Sequence, residues 1–201
     1  MGVQLSLANI EAVRYACLNY HYAKRVPIST VAFNVYENEE WCGTIVYGYG
    51  ANPHIASIYD KFPGQVLELV RMALNGKQSS TSECLSASLK EMKKRCPTVD
   101  LIVSYADMDE EHVGVIYQAT NWIYVGLMNE GSKSSYVIHG EKMHPRSVGA
   151  KWNSNLEWLR LNVDPKATQL TTEGKHKYLY PLNKKMRRKV KGLHEPYPRK
   201  E

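Results

Sequence analysis

The run at residues 99–105, Val-Asp-Leu-Ile-Val-Ser-Tyr, is the most apolar β-like stretch of the chain. Its Leu101-Ile102-Val103 centre offers no polar face to water, the pattern of a central strand buried on both sides. The residues leading into it fit that position. Residues 66–74 read as a strand and Asn75-Gly76-Lys77 as a turn. The polar run 78–83 then opens a helix that carries Leu85, Leu89 and Met92 on one face and ends near Cys96-Pro97. Strand, polar loop, helix and strand in succession point to an α/β layer.

The remaining elements extend the same layer. Residues 6–22 place Leu7, Ile10, Val13, Ala16, Cys17 and Tyr20 close to helical spacing. Two β-rich runs, 30–36 and 41–48, flank the polar Glu37-Asn38-Glu39-Glu40 and read as an antiparallel hairpin. Residues 48–63, with Gly50, Asn52-Pro53 and Phe62-Pro63, read as a loop. A short helix is predicted at 110–122, and strands at 123–127 and 135–139. The order is α-β-β-β-α-β-α-β-β, without an internal repeat. Residues 152–162 are amphipathic but ambiguous between elements, 175–180 form a short β-like run, and 184–191 predict a basic helix.

A chain of 201 residues holds one domain with a real core. The expected organisation is a catalytic domain over residues 1–164 and a basic extension, 165–201, packing on it or trailing from it. The extension carries 11 Lys/Arg against 3 Asp/Glu, leaving 15 against 17 elsewhere. Clustered cations gain affinity for a polyanion by releasing counterions, although a solvated tail without a partner has the same composition. No apolar run approaches the ~18 residues of a membrane helix, and residues 1–9 lack the pattern of an export signal. Cytoplasmic residence is therefore expected. Cys17, Cys42, Cys84 and Cys96 have no metal or disulfide spacing and read as ordinary buried thiols.

The element order resembles that of the GNAT acyltransferases, in which a central strand splays from its neighbour and acyl-CoA lies in the gap. A sharper resemblance comes from Ser104-Tyr105-Ala106-Asp107, then His112 and Gly114, then Ile116-Tyr-Gln-Ala-Thr-Asn-Trp122 and Tyr124. This string is similar to the signature of the Mom-like phage DNA-modification proteins. His21-Tyr22, the Gly48 to His54 loop, and Tyr178-Leu179-Tyr180 followed by Lys184-Lys185 and Arg187-Arg188 extend the similarity over most of the chain. The resemblance implies an acyltransferase-like enzyme that modifies the exocyclic amine of adenine in double-stranded DNA, giving an N6-methylcarbamoyl or related adduct that evades host restriction. It also implies a cytoplasmic setting in an infected or lysogenic bacterium and acetyl-CoA or another acyl-CoA as donor. Gln78-Ser79-Ser80-Thr81-Ser82-Glu83 stands where a GNAT protein has its glycine-containing phosphate loop.

Within that framework the residues divide by chemistry. Ser79, Ser80 and Ser82 open a helix whose free N–H groups could hold pyrophosphate, although serines there also serve simply as caps. Arg71 and Leu74 of the preceding strand join them as cofactor-binding candidates. Tyr117 is the candidate acid for the leaving thiolate, and Asp107, at the end of the buried strand, a base or orienting group. His21 and Tyr22 are further catalytic candidates, and Glu68 an alternative base. Acetyl transfer alone would not place nitrogen between carbonyl and methyl, so a redox iron held by His21, Asp107 and His112 is a further hypothesis. Lys184, Lys185, Arg187, Arg188, Lys189 and Lys191 would follow phosphates, while Trp122, Tyr124, Tyr178 and Tyr180 either stack an extruded base or fill the core. Alternatives are a GNAT enzyme acting on a protein, a small amine or a hypermodified pyrimidine, and a catalytically silent DNA-binding protein. Monomer and homodimer both remain open.

Overall fold

The computed structural model describes residues 2–52 and 54–199. Its elements are β1 (Gln4–Leu7), α1 (Ile10–Asn19), β2 (Val31–Glu37), β3 (Glu40–Gly48), β4 (Val66–Leu74), α2 (Thr81–Arg95), β5 (Leu101–Asp107), α3 (Val115–Ala119), β6 (Ile123–Met128), β7 (Lys133–Ile138), β8 (Glu141–Met143), α4 (Pro145–Lys151), α5 (Leu156–Asn162), β9 (Thr168–Thr171), β10 (Lys175–Pro181) and α6 (Lys184–Val190). Seven strands form one mixed sheet in the order β1-β2-β3-β4-β5-β10-β6, and β8-β7-β9 form a second. Leu101, Ile102 and Val103 are fully buried within the large sheet, as a strand with no polar face requires.

Local chemistry sets the boundaries. The helix expected over 6–22 starts later because Asn9 caps it, its side-chain oxygen accepting from the Ala12 amide at 2.9 Å. The residues before it alternate and pair with β2 as an edge strand, Gln4 opposite Tyr36 and Leu7 opposite Phe33. Helix α1 buries Val13, Ala16 and Cys17 against Ala32, Val46 and Ala73 of the sheet. Ser80 caps α2, accepting from the Glu83 amide, and Lys93, Lys94 and Arg95 complement the negative end of the helix dipole.

Contacts divide the chain into two compact units, Met1–Tyr105 with Gly114–Gly126 and Lys177–Glu201, and Ala106–Val113 with Leu127–His176. The second has its own core of Tyr136, Ile138, Val148, Leu159 and Ala167. Residues 165–201 supply β9 to the small sheet and β10 to the interior of the large one. In the first unit, Met186 and Val190 of α6 pack with Val66, Leu101, Val103, Ile123 and Leu179. The basic helix is therefore anchored by its two apolar residues. All four cysteines are free, three of them buried and Cys96 half-buried. Among the described residues no helix is long and apolar enough to cross a membrane.

Met186 is 1% exposed, so Met186→Ala leaves a cavity in this cluster and is expected to cost about 2–4 kcal/mol in urea denaturation. A change below about 0.5 kcal/mol, the size of an ordinary surface substitution, would mean that α6 is not docked.

Candidate active site

Strands β4 and β5 run parallel but pair over only three positions, Val66 with Leu101, Leu67 with Ile102 and Glu68 with Val103. Beyond Glu68 and Val103 this ladder stops, although β4 continues to Leu74 and β5 to Asp107. Opposite, β4 carries a register shift against β3, with Tyr47 facing Leu69 and Val46 facing Arg71. The extra residue bends β4 where it leaves β5. Ser104, 1% exposed, stands at the fork. Its Oγ lies 3.3 Å from the Leu69 carbonyl oxygen and 2.8 Å from the Tyr117 hydroxyl.

The two faces of the fork differ. Side chains alternate along a strand, so Ser104 lies on the face opposite Val103 and Tyr105. Tyr47, which pairs with Leu69, reaches Ser88 of α2 through hydroxyls 2.7 Å apart. Glu68 shares the other face with Val66, a residue of the cluster under α6. Gly50 sits directly over the Glu68 carboxyl: a Cβ built there would lie 1.9 Å from Oε2, and its φ of +70° favours glycine as well. Burial pushes the Tyr117 hydroxyl up to about 12, with Ser104 acting against the rise and the charges of Tyr22 and Glu68 adding to it. Burial and the Glu68 charge also push Tyr105 up to about 12. The charges of Tyr22 and Glu68 both act on Tyr117, which holds its proton at neutral pH. His21 stacks on Tyr22, centroids 4.3 Å apart, and its Nδ1 accepts from the Ala23 amide at 3.1 Å.

Tyr117 is held by aromatic packing, its ring centroid 5.0 Å from Trp122 and 4.9 Å from Tyr178. Gly114, with φ +79°, caps the short α3 and lets the Tyr178 ring approach; a Cβ there would lie 2.5 Å from Tyr178 Cε2. Trp122, Tyr124 and Tyr178 are buried, and Tyr180 is half-buried against Trp122, centroids 5.4 Å apart. Of the two roles the sequence leaves open, the burial of these three fits core filling, and they form the wall that supports Tyr117.

At the far end of β4, Ser79 donates its amide to Glu37 Oε2 at 2.6 Å and its hydroxyl to Glu37 Oε1. These two bonds hold the Glu37 carboxyl below its usual range. Ser82 Oγ lies 3.1 Å from Ser80 Oγ, and Leu74 is half-buried where β4 pairs with Gly43. Arg71 lies on the same strand. Its Nη1 donates to the Val70 carbonyl, its charge lowers the Cys17 thiol against the larger effect of burial, and its Nε is buried without a protein partner. That places its guanidinium beside α1.

Asp107 belongs to the second unit, where it pairs with Lys175 Nζ at 2.7 Å and accepts from the Asp109 amide. His112 is exposed and its amide donates to the Asp107 carbonyl. Among the described residues no three His, Cys, Asp or Glu side chains form a group that could hold a metal ion. The hypothesis of an iron held by His21, Asp107 and His112 therefore has no support. Sequence reasoning missed Ser104 as a site residue and Glu37 as the partner of Ser79. Ser104 lay inside the quoted string, whereas nothing in the sequence joins Glu37 to a serine 42 positions away.

Gly114→Ala is expected to destabilise the protein by about 2–4 kcal/mol, combining the left-handed backbone cost with the clash on Tyr178. Unchanged thermal unfolding would refute that packing.

Known proteins share this fold. Solved structures matching the chain include a mutant form of the spermidine/spermine N-acetyltransferase SpeG from Vibrio cholerae, with a TM-score of 0.52 at 9% identity, covering 92% of this chain and 98% of that one. RimL, a ribosomal-protein alpha-N-acetyltransferase in complex with coenzyme A, matches with a TM-score of 0.50 at 9% identity, covering 90% and 94%. The fold is that of the GNAT acetyltransferases. Among curated proteins, the methylcarbamoylase Mom of Escherichia phage Mu is 25% identical over 187 residues, covering 89% of this chain and 76% of that protein. The model of the Mom protein family matches residues 4–199, and the chain belongs to that family.

Proposed function

We propose that this chain is a phage DNA-modification enzyme that transfers an acyl-type group, methylcarbamoyl or a related one, from an acyl-CoA-type donor to the exocyclic amine of adenine in double-stranded DNA, protecting that DNA from restriction. The observation carrying the reading is the β4/β5 fork, with Tyr117 and Ser104 at its vertex and Glu68 on the opposite face, where its charge raises the Tyr117 hydroxyl. The family membership supports a DNA-modification role, and the named activity of the phage Mu relative, a methylcarbamoylase, supports the transferred group.

The residues fit such a donor. The Glu37 carboxylate on the Ser79 amide and hydroxyl stands in for an anionic oxygen at the start of α2, where free N–H groups favour negative charge. A pyrophosphate would displace Glu37 there, and Ser80 and Ser82 offer further hydroxyls. A bound acyl-CoA supplies an activated thioester carbonyl. Glu68 takes the proton that the amine loses as its nitrogen bonds to that carbon. Tyr117 gives its proton to the sulfur as the C–S bond breaks, the arrangement of a paired base and acid. Ser104 can then turn its O–H from the Leu69 carbonyl to the Tyr117 oxygen, so the new phenolate does not stand unpaired. The exposed cations Lys184, Lys185, Arg187, Arg188 and Lys191 would follow phosphates, while Lys189 is tied to Asp60.

Mass spectrometry of nucleosides from plasmid DNA of cells producing the protein tests this. An adenine nucleoside carrying an acyl-type adduct is expected, reduced about 100-fold or more by Tyr117→Phe. Unmodified DNA beside a modified protein, amine or pyrimidine would overturn the acceptor, and salt-dependent DNA binding with no modification would leave a silent binding protein. Because Tyr117 loses its proton only near 12, the alkaline limb of the rate profile is expected above the ordinary tyrosine range near pH 10.

A further inference from the structure

The sheet face that carries Glu68 is bordered by a loop, residues 54–63, that none of the chemistry above uses. Its inward residues Ile55, Ala56 and Tyr59 pack with Val66 and Val103 of the sheet and with Met186 and Val190 of α6. Lys189 of α6 donates to the Tyr59 carbonyl and to Asp60, both at 2.7 Å. The other end is fastened too, by the Lys61 ion pair with Asp100 and by the Phe62 amide donating to Gln65 Oε1 at 2.9 Å. On this pinned backbone the Phe62 side chain is 78% exposed. A large apolar ring held in water by a fixed frame gains nothing for folding, so its position invites an external occupant.

Phe62 does not stand alone. Tyr49, half-exposed, has its hydroxyl near Gly64, and Ile28, 87% exposed, lies where its carbonyl meets Gly48. Gly50, which covers the Glu68 carboxyl, follows directly. These apolar side chains therefore lie on segments next to Gly50 and the Glu68 carboxyl it meets, and the exposed cations of α6 adjoin the Phe62 loop through the Lys189 contacts. Apolar rings beside a basic helix match a duplex, whose phosphates are outside and whose stacked bases are apolar.

We propose that Phe62 is a wedge that enters the base stack beside the target nucleotide, while α6 holds the flanking phosphates, so that the base swings out toward Glu68. Enzymes acting on a base amine in a duplex must extrude the base, and apolar side chains driven between base steps are a known means of opening them. The inference rests on DNA being the acceptor.

Permanganate mapping of plasmid DNA bound to the purified full chain tests the wedge without a donor, because extruding adenine leaves its thymine unstacked and reactive. The wild type is expected to create reactive thymines. Phe62→Ala should lower that reactivity about tenfold or more while filter binding stays within about threefold, and Phe62→Leu should restore most of it. Full reactivity in Phe62→Ala, or a Phe62→Leu variant as defective as Phe62→Ala, would overturn the wedge. Wild-type binding without reactive thymines would overturn the wedge and leave DNA as acceptor, whereas no DNA binding at all would overturn both.

Discussion

The parting of β4 from β5 after Glu68 and Val103 is the constraint on which the rest of the structure depends. Two parallel strands that stop pairing leave backbone donors and acceptors without a ladder, a costly state inside a sheet. Here a side chain repairs part of the break: Ser104 places its hydroxyl beside the Leu69 carbonyl and at the same time beside Tyr117. The gap is thus both a structural defect and a place where a group on the α1 face and a group on the α2 face can act on the same atoms. Glu68 and Tyr117 occupy those two sides, and Tyr117 senses the charge of Glu68.

The aromatic residues of the first unit are arranged around that tyrosine. Trp122 and Tyr178 flank its ring, Tyr124 packs on Tyr178 with centroids 5.2 Å apart, and Gly114 makes room for the stack by having no side chain. The end of the chain returns over them, with the Glu195 amide on the Tyr124 carbonyl, the Tyr197 hydroxyl on the Trp122 carbonyl, and Gln118 Nε2 on the Pro198 carbonyl. A five-residue helix such as α3 has too few internal bonds to fix a catalytic side chain by itself. Packing supplies the rigidity instead, and burial gives Tyr117 its high affinity for a proton.

Much of this was legible in the sequence, for identifiable reasons. The central strand declared itself through a continuous apolar run, β4 at 66–74 through a β-like run broken by Glu68 and Arg71, and α6 through uninterrupted helix formers ended by Gly192. What escaped depended on contacts distant in the chain. Gln4–Leu7 is too short to outweigh the helical spacing that begins beside it, and only pairing with β2 makes it a strand. The aromatics of the quoted string looked equally suited to a base or to a core, since an aromatic ring serves either, and only burial separates the two. Asp107 sits at the end of the central strand as expected, but Lys175, 68 residues away, has taken its carboxylate. Phe62 read as part of a loop, and its importance rests on the pinning of its neighbours.

Centrally, the fork and the start of α2 are read as one donor site. Amide hydrogen exchange with and without acetyl-CoA tests it most directly. Slower exchange is expected together at residues 69–74 and 79–81 and at Ser104, with the Ser79 amide changing its partner from Glu37 to the cofactor. Protection confined to other segments, or none at saturating acetyl-CoA, would contradict the claim.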